Sequence, residues 1–496
     1  QRTKSKILSI LLSLVMLLSL LPTTALAANN YPAADEVSVN GGISFTTKKL
    51  YFKNNATECS DDSSDWNAAY DPTSGTLTLK NYKGKMISLG SSSAKDLTIK
   101  LIGDNNTITP YKTGILGNSK SGSITITTDS GSSGTLTINV TNESHSVYGI
   151  DGDENSVTIA GSANVIISAE TEDASQNSYG IYSRAAVSIS DSASVKITSI
   201  TSKSTRTNAC YGIYSRKGVT IDTEGTIQID VSRAGTPEAA SYGIDALSTK
   251  TLRKVGVMQV KWKNGSSDSG NAISGGDSFD TTPHAVNVDT DACFASYRKG
   301  TPYTVTVKDG TLTCTDVVPN PKKSGSFLAG DLVSITPDTK KGKSTEVIPF
   351  KEWTAEGVTI TNSDVASNSF TVPANAVTVT ATYNPFGETP VFTRTSDSKG
   401  TIEVKTVAKL DNSEYFQYVK VGEENNSSAY KKPYFTPQTT STASPYQYSF
   451  EVTDYNSGDI QNLSAGEYRM AVTLNGKRYL SDKFTVNYTA AVTTYT

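Results

Sequence analysis

Apolar residues alternate with serine, threonine and lysine along many short stretches of the chain, mostly between residues 66 and 276. In "VSIS" and "VKIT", for example, Val187 and Ile189 are followed eight positions later by Val195 and Ile197. Alternation with a period of two predicts β-strands that have one buried side and one solvent-facing side. No stretch after residue 27 shows the apolar stripe of an amphipathic helix, so we expect an all-β protein.

A unit of just over thirty residues is repeated along this region. The triplet Tyr-Gly-Ile begins at Tyr148, Tyr179, Tyr211 and Tyr242, with spacings of 31, 32 and 31 residues. The apolar pairs after each triplet recur in register, and turn-forming residues separate them. Each unit therefore holds three short strands joined by corners without helices. Such units predict a parallel β-helix, in which equivalent side chains of successive turns become neighbours.

The region from about Trp66 to Gly276 resembles the pectin-lyase-like right-handed β-helices of bacterial surface proteins. It is most similar to non-catalytic members whose turns read Gly-Ile followed by "VxIxxxxxVxI". The resemblance implies a carbohydrate-binding or adhesin type of protein. We expect residues 28–65 to form an N-terminal strand or cap segment. Residues 277–300 should form a cap or linker, since an open last turn would expose strand edges.

Two further β-domains are predicted after the helix. The stretches "YTVTVKDGTL", "GDLVSITPD", "FKEWTAEGV" and "SFTVPANAVTVTATY" resemble the divergent internalin B-repeat family over residues 301–384. The matching positions are Gly330, Trp353 and Phe370 to Tyr383, and the resemblance implies that Trp353 is a core residue. That family occurs in tandem on exported Gram-positive proteins.

Residues 385–496 are predicted to form a β-sandwich. "LSAGEYRMAV" resembles the tyrosine-corner stretch of immunoglobulin- and fibronectin-type sandwiches, with Tyr468 at the corner. Asn475-Gly476 is the preferred two-residue turn of a β-hairpin. Most aromatic residues of this domain should be core, and a carbohydrate-binding sandwich remains an alternative.

The N-terminus has the features of a signal peptide. Arg2, Lys4 and Lys6 precede an apolar run, and small residues around Ala27 predict cleavage after that position. Removal of the three basic residues takes the formal net charge from −3 to −6. Nucleic-acid binding is driven by clustered lysine and arginine, so we do not expect it. We expect a secreted, cell-surface-associated, monomeric protein of a Gram-positive bacterium, with no membrane insertion after signal removal.

Four cysteines are too few for a disulfide-built scaffold. They are Cys59, Cys210, Cys293 and Cys314, and three pairings are formally available. Cys210 lies inside the repeat, where we expect a small buried apolar residue.

The candidate binding surface lies on the Tyr-Gly-Ile strands. Strict alternation would put Tyr179 on the buried side with Ile181, and would put Tyr182 and Arg184 outside. Stacked turns would then bring together the predicted ligand-binding residues Tyr182, Tyr214, Arg184, Arg216, Asp151 and Asp245. Tyrosine faces stack on sugar rings, and arginine binds hydroxyls or a uronate carboxylate. We therefore expect a polysaccharide or a cell-surface glycan as partner. Ladder contacts and an Asp153–Arg184 pair that merely stabilise neighbouring strands are the alternative.

Cofactor and catalytic signals are weak. Asp151 and Asp153 are a weak candidate for calcium, since turn chemistry explains a two-residue spacing as well; no other cofactor is indicated. The motif set of the polygalacturonases is absent, and the nearest lyase candidates are Asp151 and Asp153 with Arg184. Both histidines, His145 and His284, are expected in solvated loops. Non-catalytic binding is therefore the leading hypothesis. A polysaccharide lyase or glycoside hydrolase and a structural stalk that displays loops are the alternatives.

Overall fold

The computed structural model describes four short N-terminal segments and most of residues 66–489. The N-terminal segments are residues 37–39, 43–45, 50–53 and 57–59. The gaps after residue 66 are 91–93, 174, 203–208, 235–240, 254–255, 265–271, 275–282, 290–292, 316, 342–346, 408, 411–415, 433–440, 442, 456–459 and 475. The predicted signal peptide lies outside the described residues. The chain divides into two compact units, Gln1–Gly300 and Thr301–Thr496.

The first unit is a β-solenoid of about five turns with three parallel sheets, which confirms the predicted repeat fold. The strands of sheet 1 are Ile87–Leu89, Thr113–Leu116, Val147–Asp151, Ser178–Ser183, Cys210–Ser215 and Ser241–Ala246. Those of sheet 2 are Asp96–Ile108, Gly122–Thr128, Asn155–Ile159, Ala186–Asp191, Gly218–Thr223 and Thr249–Leu252. Those of sheet 3 are the end of Asp96–Ile108, Gly134–Asn142, Ala163–Thr171, Ser194–Thr201, Thr226–Arg233 and Val257–Asn264.

Equivalent apolar residues of successive turns stack into inward-facing columns. In sheet 2, Ile159 pairs with Ile189 and Ile189 with Ile221. These side chains are fully buried, as are the isoleucines of sheet 1 and the apolar pairs of sheet 3. Cys210 is also fully buried, as expected. The polar residues between the apolar positions are partly exposed, so the alternation read in the sequence describes the solenoid interior and exterior.

Antiparallel strands cover both ends of the parallel stack. At the first turn, Val37–Val39 pairs with Ile87–Leu89 of sheet 1 and with Ile43–Phe45. Sheet 2 is extended at this end by the antiparallel strands Leu50–Lys53, Thr57–Cys59 and Ala68–Asp71. They follow Thr76–Lys80, which pairs parallel with Asp96–Ile108, and Lys83–Gly84 pairs parallel with the same long strand at sheet 3. At the last turn, Phe294–Lys299 pairs antiparallel with Val257–Asn264 and with His284–Asp289. These strands supply hydrogen-bond partners to the backbone groups of end strands that would otherwise be unpaired.

The N-terminal part of the second unit consists of two four-stranded sheets and a short hairpin. The first sheet has the order Ser324–Phe327, Tyr303–Lys308, Val377–Tyr383, Phe350–Glu356. The second has the order Val318–Lys322, Gly310–Cys314, Leu332–Pro337, Asn368–Thr371, and Lys340–Lys341 pairs with Val347–Ile348. Trp353 is buried, and its indole N–H donates to the carbonyl of Ala366 at 2.9 Å. The expectation that Trp353 is a core residue is confirmed.

The C-terminal part also has two sheets. One has the order Val391–Arg394, Lys399–Thr406, Tyr446–Thr453, Gln461–Asn462. The other contains Phe416–Lys420, Gly466–Leu474, Lys477–Leu480 and Phe484–Val486, and Ser427–Ala429 is a short 3₁₀ helix. Tyr468 donates its hydroxyl hydrogen to the carbonyl of Ser464 at 3.0 Å, four residues upstream, so it forms the predicted tyrosine corner. Gly466–Leu474 and Lys477–Leu480 form the predicted hairpin.

Candidate functional site

The four Tyr-Gly-Ile copies are stacked in register on sheet 1. Tyr148 pairs with Tyr179, Tyr179 with Tyr211, and Tyr211 with Tyr242. Tyr182 pairs with Tyr214 in the same ladder. The sequence therefore predicted the neighbourhood of Tyr182 and Tyr214 correctly.

Glycine determines which way the tyrosines point. A Cβ added at Gly180 would overlap Cγ2 of the core residue Ile197 and lie 2.6 Å from the carbonyl oxygen of Gly212. Gly180 thus faces the interior, as does the fully buried Ile181 that follows it. Two consecutive inward residues interrupt the alternation, and Tyr179 and Tyr182 consequently lie on the same side. Their rings meet edge-on, with centroids 5.2 Å apart. The expectation that Tyr179 faces the core with Ile181 is wrong.

Six rings form one continuous outer surface, which we call the tyrosine surface: Tyr148, Tyr179, Tyr211 and Tyr242 in one column, and Tyr182 and Tyr214 in the other. Along the first column, adjacent rings are nearly parallel, with centroids 5.1, 5.4 and 6.2 Å apart. In the second column the centroids are 5.4 Å apart and the planes differ by 4°. Edge contacts join the two columns. Tyr179 is 8% exposed, and the other five are partly exposed.

This arrangement changes what the rings offer to a ligand. A ring that stacks on its neighbours along the solenoid has its faces covered by them. Ring edges and hydroxyl groups remain for contacts with a ligand. Burial raises the pKa of Tyr148, Tyr179 and Tyr211, so these phenols stay protonated and can donate hydrogen bonds. Stacking of a sugar on the face of an internal ring, which the sequence suggested, does not fit this geometry.

Arg184 is held by acidic residues of the preceding turn. Its Nη1 lies 3.1 Å from Oδ1 of Asp153 and 3.2 Å from Oε1 of Glu154. A hydrogen bond to the Tyr182 hydroxyl and that to Glu154 raise the pKa of Arg184 further above its ordinary value. The Asp153–Arg184 pair expected from the sequence is confirmed, and Glu154, which the sequence reasoning did not assign to this pair, is a second partner.

Arg216 occupies the equivalent position one turn later but has different surroundings. Its backbone N–H donates to the carbonyl of Ser183 at 3.0 Å, one residue before Arg184, whereas that of Arg184 donates to the carbonyl of Asp153. Its side chain is exposed, and it forms no ion pair with any residue that the structure describes. The two arginines of the duplicated hexamer are therefore equivalent in register only.

Asp151 and Asp245 lie at the two ends of the Tyr182–Tyr214 pair. Asp151 pairs in register with Tyr182, and Tyr214 pairs with Asp245. Burial raises the pKa of Asp151 to about 6, although its carboxylate accepts a hydrogen bond from the N–H of Asp153 at 3.0 Å. Asp245 accepts a hydrogen bond from the hydroxyl of Ser274. All predicted site residues therefore lie on one edge of sheet 1 and its corner.

The aspartates suggested for calcium have other contacts. Asp151 accepts the N–H of Asp153 in a turn, and Asp153, with φ at 47°, pairs with Arg184. Across the described residues, no group of three or more histidine, cysteine, aspartate or glutamate side chains could hold a metal ion. Calcium binding at Asp151 and Asp153 stays an untested prediction.

The two histidines lie in different environments. His145 is exposed, as expected, and its ring packs edge-on against Tyr111 at 5.6 Å. His284 lies in a strand and is buried, so the expectation of a solvated loop was wrong for this residue. Arg184, the basic residue of the nearest lyase candidate, is ion-paired and stays charged, which makes it a poor proton acceptor.

Comparison with known proteins identifies one domain. Residues 303–386 match the family model described as Divergent InlB B-repeat domain, which confirms the resemblance drawn from Gly330, Trp353 and Phe370 to Tyr383. This domain type suggests a surface or adhesion-type protein and is typically non-enzymatic. No curated protein and no solved structure matches the chain. None of the helical segments in the described part of the chain is long and apolar enough to cross a membrane.

Proposed function

We propose that this chain is an exported, cell-surface-associated protein of a Gram-positive bacterium that binds polysaccharide without catalysis, through the tyrosine surface. The observation that carries the proposal is the convergence of six stacked tyrosines on one side of sheet 1, five of them partly exposed. The B-repeat domain supports a surface protein. The signal sequence and the similarity of the turns to non-catalytic pectin-lyase-like β-helices support export and glycan binding.

The contacts proposed are hydrogen bonds and edge packing. A glycan that crosses successive turns meets equivalent hydroxyls at the spacing of parallel strands, about 4.8 Å. Tyr182 and Tyr214 supply hydroxyls and ring edges, and Arg216 supplies donors that no described carboxylate occupies. Asp151 and Asp245 accept hydroxyl hydrogens at the two ends. Arg184, tied to Asp153 and Glu154, holds the Tyr182 hydroxyl in place. Individual contacts of this kind are weak, so binding depends on a ligand long enough to engage several turns.

The test is a glycan array followed by affinity electrophoresis in polysaccharide gels, each with calcium and with EDTA. The double variant Tyr182→Phe/Tyr214→Phe removes two hydroxyls and leaves the stacked rings, so we expect at least a fivefold weaker retention with an unchanged melting temperature. Tyr111→Phe is the matched control, since Tyr111 is 68% exposed on the same solenoid but outside the tyrosine surface. Loss of binding in EDTA alone would restore the calcium hypothesis. Binding that is equal in all three proteins would exclude the tyrosine surface. Absence of binding to any glycan would leave the structural stalk.

A further inference from the structure

The corner that follows sheet 1 changes its charge along the solenoid. At the turn of Val147–Asp151 the corner carries Asp153 and Glu154, which neutralise Arg184 from the next turn. One turn after Arg184, and two turns after Val147–Asp151, the equivalent corner reads Arg216-Lys217, and both side chains are exposed. Within the part of the chain that the structure describes, neither of them forms an ion pair. Acids thus balance the first arginine, whereas the second cationic corner has no ion-paired acid among the residues that the structure describes.

Lys250 adds a third cation to this place. Its Nζ donates to the carbonyl of Ala246 at 2.7 Å, and Ala246 pairs in register with Ser215, the residue before Arg216. Leu247, directly after Ala246, donates its N–H to the carbonyl of Ser215 at 3.1 Å. The ammonium of Lys250 is therefore held at the same corner in the adjacent turn, next in register to Ser215 and Arg216. We call Arg216, Lys217 and Lys250 the basic corner.

The nearest acid in register does not neutralise the basic corner. Asp245 pairs with Tyr214, two positions before Arg216. Its carboxylate is hydrogen-bonded by Ser274, and it forms no ion pair with the described lysines and arginines. Like-charged groups placed together repel one another unless an anion lies between them. A corner built this way gains electrostatic energy from an anionic ligand.

We propose that the basic corner is an anion subsite of the tyrosine surface, and that the polysaccharide it takes is acidic, charged by carboxylate or sulfate groups. This inference rests on the proposed function. Tyr214 and Arg216 lie two residues apart on one strand end, so a sugar at the Tyr214 hydroxyl places its charged substituent within reach of the guanidinium. Arginine binds carboxylate and sulfate oxygens through two parallel N–H donors, while lysine contributes as a point charge. The same hexamer one turn earlier has no such capacity, because Asp153 and Glu154 occupy its arginine.

The experiment compares matched polymers on the full chain. Hyaluronan and its methyl ester differ in carboxylate charge, and dextran sulfate and dextran differ in sulfate charge. We expect at least tenfold tighter binding to one or both charged members, an affinity that falls as salt is raised, and a loss of at least tenfold in Arg216→Gln/Lys217→Gln. The exposed Lys196 of sheet 3 provides the control variant Lys196→Gln, which should bind as the wild type does. Melting temperatures of both variants check the fold.

Each outcome has a defined meaning. Preference for hyaluronan alone assigns the subsite to carboxylates, and preference for dextran sulfate alone assigns it to sulfates. If the charged and uncharged members bind equally, and Arg216→Gln/Lys217→Gln binds them as the wild type does, the anion subsite is overturned. Polysaccharide binding itself would stand. A DNA duplex that binds as tightly as the glycans would overturn an acidic polysaccharide as the ligand. Failure of every glycan, neutral ones included, would overturn both the subsite and the proposed function.

Discussion

The two units of this chain build their cores in opposite ways. The solenoid stacks equivalent valines, isoleucines and leucines turn after turn. Each Tyr-Gly-Ile copy has its glycine at a position where a Cβ would overlap a core isoleucine or valine. The second unit packs dissimilar residues around large aromatics such as Trp353 and Tyr448, and its two pairs of sheets share one core cluster. In the first unit, a residue's neighbours follow from the repeat. In the second, they depend on how separate sheets come together.

The difference shows where each unit is vulnerable. A repetitive core is sensitive to an added atom, because every turn presents the same surface to the next. A core organised around one large side chain is sensitive to its removal, since a cavity follows. Four predictions test this comparison.

Trp353→Ala should have the largest effect. Removing a buried aromatic side chain costs about 3–5 kcal/mol of unfolding free energy, and this indole also donates to the carbonyl of Ala366. Hydrogen exchange read by mass spectrometry should show faster exchange in residues 301–489 and little change in the solenoid. Trp353→Phe keeps an aromatic ring and should lose clearly less unfolding free energy than Trp353→Ala. Equal exchange changes in both units would contradict a separate core.

Gly180→Ala tests the opposite sensitivity. The new Cβ would overlap Cγ2 of Ile197 and crowd the carbonyl of Gly212, and overpacking of this kind costs about 1–3 kcal/mol. Urea unfolding measures the change. Gly387→Ala in the second unit is the control, because its Cβ would meet only ordinary contacts, the nearest at 3.8 Å. A Gly180→Ala protein as stable as the wild type would show that the turns are not tightly packed at Tyr-Gly-Ile.

Asp151→Asn should stabilise the solenoid, and the gain should depend on pH. Burial raises the pKa of Asp151 from 3.8 to about 6, so the folded state holds the proton more tightly than the unfolded state does. Stability therefore falls as the pH rises from about 4 to about 6, and the full cost of burying the ionised Asp151 carboxylate is present above pH 6. After allowance for partial exposure, the gain from Asp151→Asn at pH 7 is about 1–2 kcal/mol, and it should vanish near pH 4.

Thermal unfolding between pH 3 and pH 8 measures this effect. Asp173→Asn is a control of opposite sign, because the backbone N–H and hydroxyl of Ser175 lower the pKa of Asp173. Its stabilising contribution is present above pH 4 and lost below. A gain from Asp151→Asn that is constant with pH would mean that the Asp151 carboxylate is not buried.

The difference in stability between Arg184→Gln and Arg216→Gln should be the smallest of the four effects. Arg184 is ion-paired with Asp153 and Glu154, whereas Arg216 has no such pair among the described residues. Exposed ion pairs contribute little, so we expect a small fall in melting temperature for Arg184→Gln and none for Arg216→Gln. High salt should reduce the difference. Equal changes would show that the two copies are equivalent in their surroundings as well as in register.

The sequence allowed much of this site to be predicted, though not its orientation. The spacing of Tyr179 and Tyr211 predicted their stacking, because equal units can only stack equivalent residues. The position of Tyr179 beside Tyr182 was missed, since alternation with period two fails where Gly180 and Ile181 both face inward. The repeated glycine before isoleucine was the available signal, because a residue without a side chain can face a crowded interior.

The sequence by itself determined the stacked turns, the B-repeat and the tyrosine corner at Tyr468, because each depends on spacing or on local hydrogen bonding. Tertiary structure alone decided that the ring faces of the tyrosines cover one another, and that Arg184 is ion-paired while Arg216 has no ion pair among the described residues. Both outcomes depend on which residues of the adjacent turn lie within a few ångströms. Two identical hexamers carry no information about that difference, since their neighbours, and not their own letters, set their charge balance.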